Sequence, residues 1–105
     1  VLLEICKKYN CAISFRSPYP AWEYKKESEL RDTMAELYLE MFGKNMEVTA
    51  IHAGLECGIF CGKIKGLDCV SLGPDMADIH TPAERLNISS CERVWRYLLR
   101  VLEII

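Results

Sequence analysis

From residue 11 onward, segments with a strand-like pattern alternate with segments that have a helical pattern. Residues 11–16 alternate apolar and polar side chains, which is typical of a half-buried strand. Residues 47–51 are rich in β-branched side chains and favour a buried strand, and residues 69–72 favour another. A helix-like segment follows each of these strands. This order predicts an α/β fold in which strands and helices form layers.

The helix predictions rest on apolar spacing and on residues suited to helix ends. Residues 28–42 repeat apolar side chains every three or four positions, and Gly43 is suited to end that helix in a left-handed conformation. A short apolar helix is expected around residues 59–61. A final helix is expected to begin with Ser89 or Ser90 as its N-cap. Its predicted apolar face contains Val94, Leu98, Val101 and Leu102, with Trp95 beside it.

The amino end begins inside an apolar pattern and without an initiator methionine. We therefore expect residues 1–5 to form the last turns of a helix, with further sequence upstream. Pro18 and Pro20 interrupt regular structure, because proline lacks a backbone donor and restricts the residue before it. These features predict a domain boundary that separates residues 1–18 from residues 19–105.

Composition argues against several classes of function. The net charge of −2 gives no electrostatic reason to expect nucleic acid as a partner. No apolar run approaches the roughly 20 residues that span a bilayer, so no membrane partner is expected. The six cysteines include no C-x-x-C pair, so we expect reduced thiols that pack as small hydrophobic side chains. Without a signal peptide, this use of cysteine favours the cytoplasm.

Two loops contain most of the polar residues that could perform chemistry. Residues 52–58 and 74–85 each follow a predicted strand, and in open α/β sheets ligands bind beyond the carboxyl ends of the strands. In the second loop, His80 is a candidate zinc ligand, and Glu84 places a carboxylate four residues further on. One histidine cannot hold zinc alone, so a surface role for His80 is the alternative.

The first loop suits a different chemistry. Cys57 lies near a predicted helix start, where the helix dipole lowers the pKa of a thiol, and His52 is a candidate base. These two residues would suit a thiol enzyme, although no motif of the known thiol-enzyme families is present. The structural alternative is that Gly54 and Gly58 permit a tight backbone turn while Cys57 packs against the fold.

Seven short segments together resemble one known family. They are Tyr19-Pro20-Ala21-Trp22, Ser28-Glu29-Leu30, Ile51-His52-Ala53-Gly54-Leu55-Glu56-Cys57-Gly58, Gly66-Leu67-Asp68, Ser71-Leu72-Gly73-Pro74, His80-Thr81-Pro82-Ala83-Glu84-Arg85 and Trp95-Arg96-Tyr97-Leu98-Leu99. This set resembles the aminoacyl-histidine (Xaa-His) dipeptidases, which are grouped with carnosinases and peptidase T among dinuclear zinc enzymes. The segment from residue 51 to residue 58 is the most specific part of the resemblance.

The resemblance implies that residues 19–105 are the C-terminal portion of a zinc-peptidase catalytic domain and that residues 1–18 are the end of a lid domain. It implies two zinc ions in the intact enzyme, with His80 as the last zinc ligand. The other ligands and the general base are expected upstream. Glu84, Gly54 and Glu56 are expected to contact a dipeptide substrate.

The implied function is hydrolysis of Xaa-His or broader dipeptides, with this chain inactive by itself. The expected partners are the upstream half of the same enzyme and further copies of the chain, because exposed apolar surfaces favour self-association. The alternative is a free-standing, non-catalytic module of the same fold that binds a protein partner.

Overall fold

Four helices and one short hairpin make up the regular structure. The computed structural model describes residues 1–51 and 53–105. The elements are α1 (Leu2–Lys8), α2 (Glu29–Phe42), α3 (Glu56–Lys63), β1 (Met76–Ala77), β2 (Arg85–Leu86) and α4 (Ile88–Ile104). The helices expected at the amino end, over residues 28–42 and around residues 59–61 are confirmed. Residues 17–20 form no regular element, as the prolines predict.

Helices α2 and α4 pack together and form the buried core. The core side chains are Met34, Leu37, Tyr97 and Val101. The Tyr97 hydroxyl donates a hydrogen bond to the Met34 carbonyl oxygen at 2.6 Å, and the Tyr97 ring meets the Tyr38 ring edge-on at 5.5 Å between centroids. Burial raises the pKa of Tyr97 to about 12, so its hydroxyl remains a donor at neutral pH.

Both ends of α2 follow the sequence prediction. Ser28 is the N-cap and accepts a hydrogen bond from the Arg31 backbone N–H at 3.1 Å, and Gly43 ends the helix with a φ of +66°. Asp68 adds a contact from a distant loop. Its carboxylate accepts hydrogen bonds from the Ser28 hydroxyl at 2.8 Å and from the Leu30 N–H at 3.3 Å. The loop after α3 is therefore fixed to the start of α2.

Helix α4 begins earlier than predicted, and its predicted apolar face is confirmed in part: Val101 is buried, and Val94 and Leu98 are half-buried. Asn87, not Ser89 or Ser90, is the N-cap. The error has a physical reason: Ser90 is buried in the first turn, where its hydroxyl is used in a tertiary contact. Trp95 and Leu102 are 59% and 61% exposed, because α2 covers only one face of α4.

The strand predictions for residues 11–16, 47–51 and 69–72 are wrong for this structure, which shows no strand at any of them. A strand must pair its backbone N–H and C=O groups with a neighbour. In the described part of the chain, the sheet consists of β1 and β2 alone, with Met76 opposite Leu86 in antiparallel register. A layered α/β domain in the complete protein stays a prediction.

The chain is extended and leaves much apolar surface in water. Its radius of gyration is 18.6 Å, whereas a compact domain of this length has about 13 Å. Its accessible surface is 9191 Å², against about 6,000 Å² for a folded monomer of this mass. Helix α1 buries no residue. Among the residues that the structure describes, no helix has the length and apolar character needed to cross a membrane.

Candidate functional site

The hairpin of β1 and β2 presents His80 at an exposed turn. Pairing of Ala77 with Arg85 closes the base of this turn, which we call the hairpin loop (residues 78–84). Asp78 and His80 have φ values of +54° and +65°, in the left-handed region that side chains other than glycine rarely adopt. A conformation of this kind persists only where surrounding contacts stabilise it.

Side chains of the hairpin loop supply several of those contacts. The Thr81 hydroxyl donates a hydrogen bond to the Asp78 carbonyl oxygen at 2.7 Å and accepts one from the Ala83 N–H at 3.2 Å. The Arg85 guanidinium lies 3.1 Å from the Asp78 carboxylate. These local contacts stabilise one shape of the turn, and that shape fixes where the His80 side chain leaves the backbone.

Glu84 acts directly on His80. Its Oε2 atom accepts a hydrogen bond from the His80 backbone N–H at 3.1 Å. The two residues are therefore brought together, as their four-residue spacing suggests, but the contact joins the carboxylate to the His80 backbone. This gives Glu84 a role in positioning His80, which the sequence analysis did not anticipate. The contact uses one of the two carboxylate oxygens, Oε2.

The base of the hairpin is fixed to the core through Ser90. The Ser90 hydroxyl accepts a hydrogen bond from the Asp75 N–H at 2.8 Å and donates one to the Asn87 carbonyl oxygen at 2.6 Å. The Asn87 N–H donates to the Asp75 carbonyl oxygen at 2.9 Å, and Arg93 of α4 pairs with the Asp75 carboxylate at 3.0 Å. The position of His80 is thereby coupled to α4, a link that sequence reasoning missed.

The first predicted loop, described from residue 53 to residue 58, runs into the start of α3 and packs against residues 19–22. Gly54 lies against the Tyr19 ring: a Cβ atom built on Gly54 would lie 3.0 Å from Tyr19 Cε1. A Cβ on Gly58 would lie 2.8 Å from the Pro20 carbonyl oxygen. Neither glycine has a positive φ, and Gly58 lies inside α3, so the structure shows no left-handed turn at either position. At both positions another segment approaches closely, through the Tyr19 side chain at Gly54 and through the Pro20 backbone at Gly58.

Glu56 is the first residue of α3 and its side chain is exposed, so it is accessible to a ligand. Burial raises the pKa of Tyr19, and the nearby Glu56 carboxylate and Cys57 thiol raise it further. A negative charge therefore lies beside the Tyr19 phenol. Gly54, Glu56 and Tyr19 form one group, which is separate in its contacts from the pair formed by His80 and Glu84.

The cysteines are free thiols, and five of the six are half-buried. Burial raises the pKa of Cys69 to about 11, with further contributions from the Cys57 and Cys61 thiols. Cys69 is therefore protonated at neutral pH, and a protonated thiol is a poor nucleophile. The thiol-enzyme hypothesis pairs Cys57 with His52, which lies outside the described residues.

A metal ion at His80 would need ligands beyond those that the described residues bring together. Within residues 1–51 and 53–105, no three His, Cys, Asp or Glu side chains are placed to hold a metal ion. The hairpin loop nevertheless fits one part of such a site, because it exposes an imidazole on a fixed turn with a carboxylate beside it. Structural and catalytic zinc sites use three or four protein ligands.

No family model matches the chain. The chain is similar to the cytosol non-specific dipeptidase of Escherichia coli (strain K12), with 34% identity over 88 residues. The match covers 84% of this chain and 18% of that enzyme, so the chain spans about a fifth of its relative's length. The resemblance to dipeptidases is confirmed at this level: the chain is homologous to one part of a dipeptidase.

Proposed function

We propose that this chain is the C-terminal portion of a zinc-dependent dipeptidase and contributes to its active site only within the complete enzyme. The observation that supports this most directly is the His80 turn. Thr81, Glu84 and Ser90 stabilise a left-handed backbone there, and the imidazole is left exposed. The chain is homologous to a dipeptidase over 84% of its length. In that context, the exposed His80 on a stabilised turn is better explained as a metal ligand than as an ordinary surface residue.

In this proposal His80 provides one zinc ligand, and the remaining ligands and the general base come from upstream sequence. When bound, two zinc ions would polarise the scissile carbonyl and activate a water molecule. The residues of this chain would do the positioning. Glu84 holds the His80 backbone at 3.1 Å through one oxygen, so its other oxygen is available to a substrate amine. Gly54 and Glu56 would border the substrate.

The proposed substrates are dipeptides of the Xaa-His type or a broader set, hydrolysed in the cytoplasm. The similar Escherichia coli protein is described as a cytosolic, non-specific dipeptidase, which supports both points without fixing the preferred residue. The proposed partners are the upstream half of the enzyme and a second copy of it. Their support is the 9191 Å² of accessible surface, which exceeds the value for a compact monomer by about half.

The test uses the intact gene product, with zinc content and dipeptide hydrolysis measured on the same samples. His80→Ala is expected to lower kcat/KM by more than about a hundredfold and to reduce bound zinc, because a lost ligand costs more than a lost partner of a ligand. Glu84→Gln keeps an oxygen that can accept from the His80 N–H, so it should keep the zinc and raise KM. Ile79→Ala is the matched control, since Ile79 is exposed on the same turn. Near-normal turnover and zinc content in His80→Ala would contradict the ligand assignment.

A further inference from the structure

Tyr19 lies where it can set the shape of the loop before α3. We call residues 53–55 the α3 loop. The ring of Tyr19 lies so close to Gly54 that a Cβ atom on Gly54 would lie 3.0 Å from Cε1, 3.1 Å from Cδ1 and 3.4 Å from Cζ. Contacts to three atoms of one ring mean that the ring lies against the Gly54 backbone. Displacement of the ring would remove the surface on which this part of the loop packs.

The segment that contains Tyr19 is itself held in place by α3. Gly58 and Gly62 are four residues apart and so share one helix face. A Cβ on Gly58 would lie 2.8 Å from the Pro20 carbonyl oxygen, and one on Gly62 would lie 3.8 Å from the Pro20 Cβ. The backbone at Pro20 therefore lies directly on the glycine face of α3, and Tyr19 is fixed relative to the helix that follows the α3 loop.

The backbone of this segment also has little freedom to move. Tyr19 stands between Pro18 and Pro20. Proline fixes its own φ, and it excludes helical conformations from the residue before it. The Tyr19 ring is thus presented from a stiff segment, so little conformational entropy is lost when it packs against Gly54.

We propose that Tyr19 is a positioning residue for substrate binding, which acts through Gly54 to hold the α3 loop and Glu56 in place. This inference rests on the proposed function, which assigns Gly54 and Glu56 to the substrate. The ring performs the positioning, because ring atoms meet Gly54. Tyr19 is 48% exposed and close to the Glu56 carboxylate, so it lies at the edge of the region where a dipeptide would bind.

The test is a mutant cycle on the intact gene product, with KM and kcat measured for a dipeptide. Tyr19→Ala is expected to raise KM about tenfold and change kcat by less than about twofold, because it removes binding that is equal in ground and transition states. Tyr19→Phe keeps the ring and should remain within about twofold of wild type. Gly54→Ala should raise KM in the wild-type background and add little in the Tyr19→Ala background, since the colliding ring is then gone. Tyr9→Ala, at another exposed tyrosine, is the control.

A second readout does not depend on hydrolysis. Cys57 lies in the first turn of α3, directly after the α3 loop, and is half-buried. Its rate of alkylation by iodoacetamide, located by peptide mass spectrometry, therefore reports how well the α3 loop and this first turn are ordered. Tyr19→Ala and Gly54→Ala should each speed this alkylation several-fold, and Tyr19→Phe should not. Unchanged KM and unchanged alkylation in Tyr19→Ala would overturn the inference. If the wild-type protein hydrolyses no dipeptide, the proposed function fails, while the alkylation rates still decide whether Tyr19 holds the loop.

Discussion

The two loops of the candidate site are held in place by different kinds of contact. The hairpin loop around His80 is stabilised by hydrogen bonds and an ion pair among residues close in sequence, and by Ser90 at its base. The α3 loop is held by van der Waals packing of Gly54 against Tyr19, and α3 itself packs through Gly58 against Pro20; both partners lie more than thirty residues earlier. Polar contacts tolerate a change of side-chain size but not of donor or acceptor. Close packing of backbone tolerates neither a bulkier side chain nor displacement of its distant partner.

The largest effect on stability should come from adding a side chain at Gly58, where no space is available for one. Gly58→Val places side-chain atoms where a Cβ already lies 2.8 Å from the rigid Pro20 carbonyl oxygen, so Pro20 or α3 must move. We expect a loss of about 3 kcal/mol in the free energy of unfolding, measured by urea denaturation. The matched control is Gly62→Val, because the Cβ at position 62 would lie at an ordinary 3.8 Å from Pro20, so this change should cost much less than Gly58→Val. Equal effects at both glycines would contradict the role given to packing.

The hairpin loop should be most sensitive at Ser90. Ser90→Ala removes two part-buried hydrogen bonds of the buried Ser90 hydroxyl, from the Asp75 N–H and to the Asn87 carbonyl oxygen, and should lower the free energy of unfolding by about 2 kcal/mol. Ser89→Ala is the control, because the Ser89 hydroxyl contacts only exposed polar groups. A loss below about 0.5 kcal/mol in Ser90→Ala would show that the hairpin is held by other contacts.

At position 80, the stability of the turn should depend more on whether the residue can adopt a left-handed backbone than on whether the imidazole is present. His80→Gly removes a side chain from a residue at φ +65°, so it should be more stable than His80→Ala by about 1 kcal/mol. Ile79→Gly, at a neighbouring residue without a positive φ, should show the usual destabilisation by glycine. The measurement is the melting temperature of wild type, His80→Gly, His80→Ala and Ile79→Gly. If glycine destabilises both positions equally, the left-handed turn is not under strain.

The difference between contacts among residues close in sequence and contacts between distant segments also explains which features could be predicted from the sequence. Local signals succeeded for α2: the apolar repeat over residues 28–42 predicted the helix and Gly43 predicted its end, because periodicity and capping depend on neighbouring residues. The prediction for α4 failed at Ser90, because its hydroxyl is used by the distant Asp75. The strands expected at residues 11–16, 47–51 and 69–72 failed because pairing needs a neighbouring strand, which side-chain pattern alone cannot supply.

In the candidate site, too, the sequence could pair residues that are close along the chain but not residues that are far apart. His80 and Glu84 could be identified together because they are four residues apart. Tyr19 could not be placed beside Gly54, since nothing in the local pattern of either segment specifies the other. The close approach could be inferred only after the fold was known, from the absence of a side chain at Gly54 and Gly58.

The smallest expected effect is a pH dependence of stability that arises at Tyr19, which packs against the α3 loop. Burial, with the Glu56 carboxylate and the Cys57 thiol, raises the pKa of Tyr19 above its usual value of 10.0. A raised pKa means that the folded chain favours the protonated phenol. The corresponding stability is fully present below pH 10, and it is lost as the pH rises through the folded-state pKa of Tyr19. Wild type should therefore lose stability relative to Tyr19→Phe above pH 10.

Melting temperatures of wild type and Tyr19→Phe between pH 8 and pH 11 would measure this difference. The change should be small, because the phenol is half exposed and water screens its neighbours. Cys57 alkylation at fixed pH in the two proteins separates loosening of the α3 loop from unfolding of the core, where Tyr97 has its own raised pKa of about 12. Parallel pH profiles for wild type and Tyr19→Phe would mean that the α3 loop is held by the Tyr19 ring alone, without any contribution from its hydroxyl.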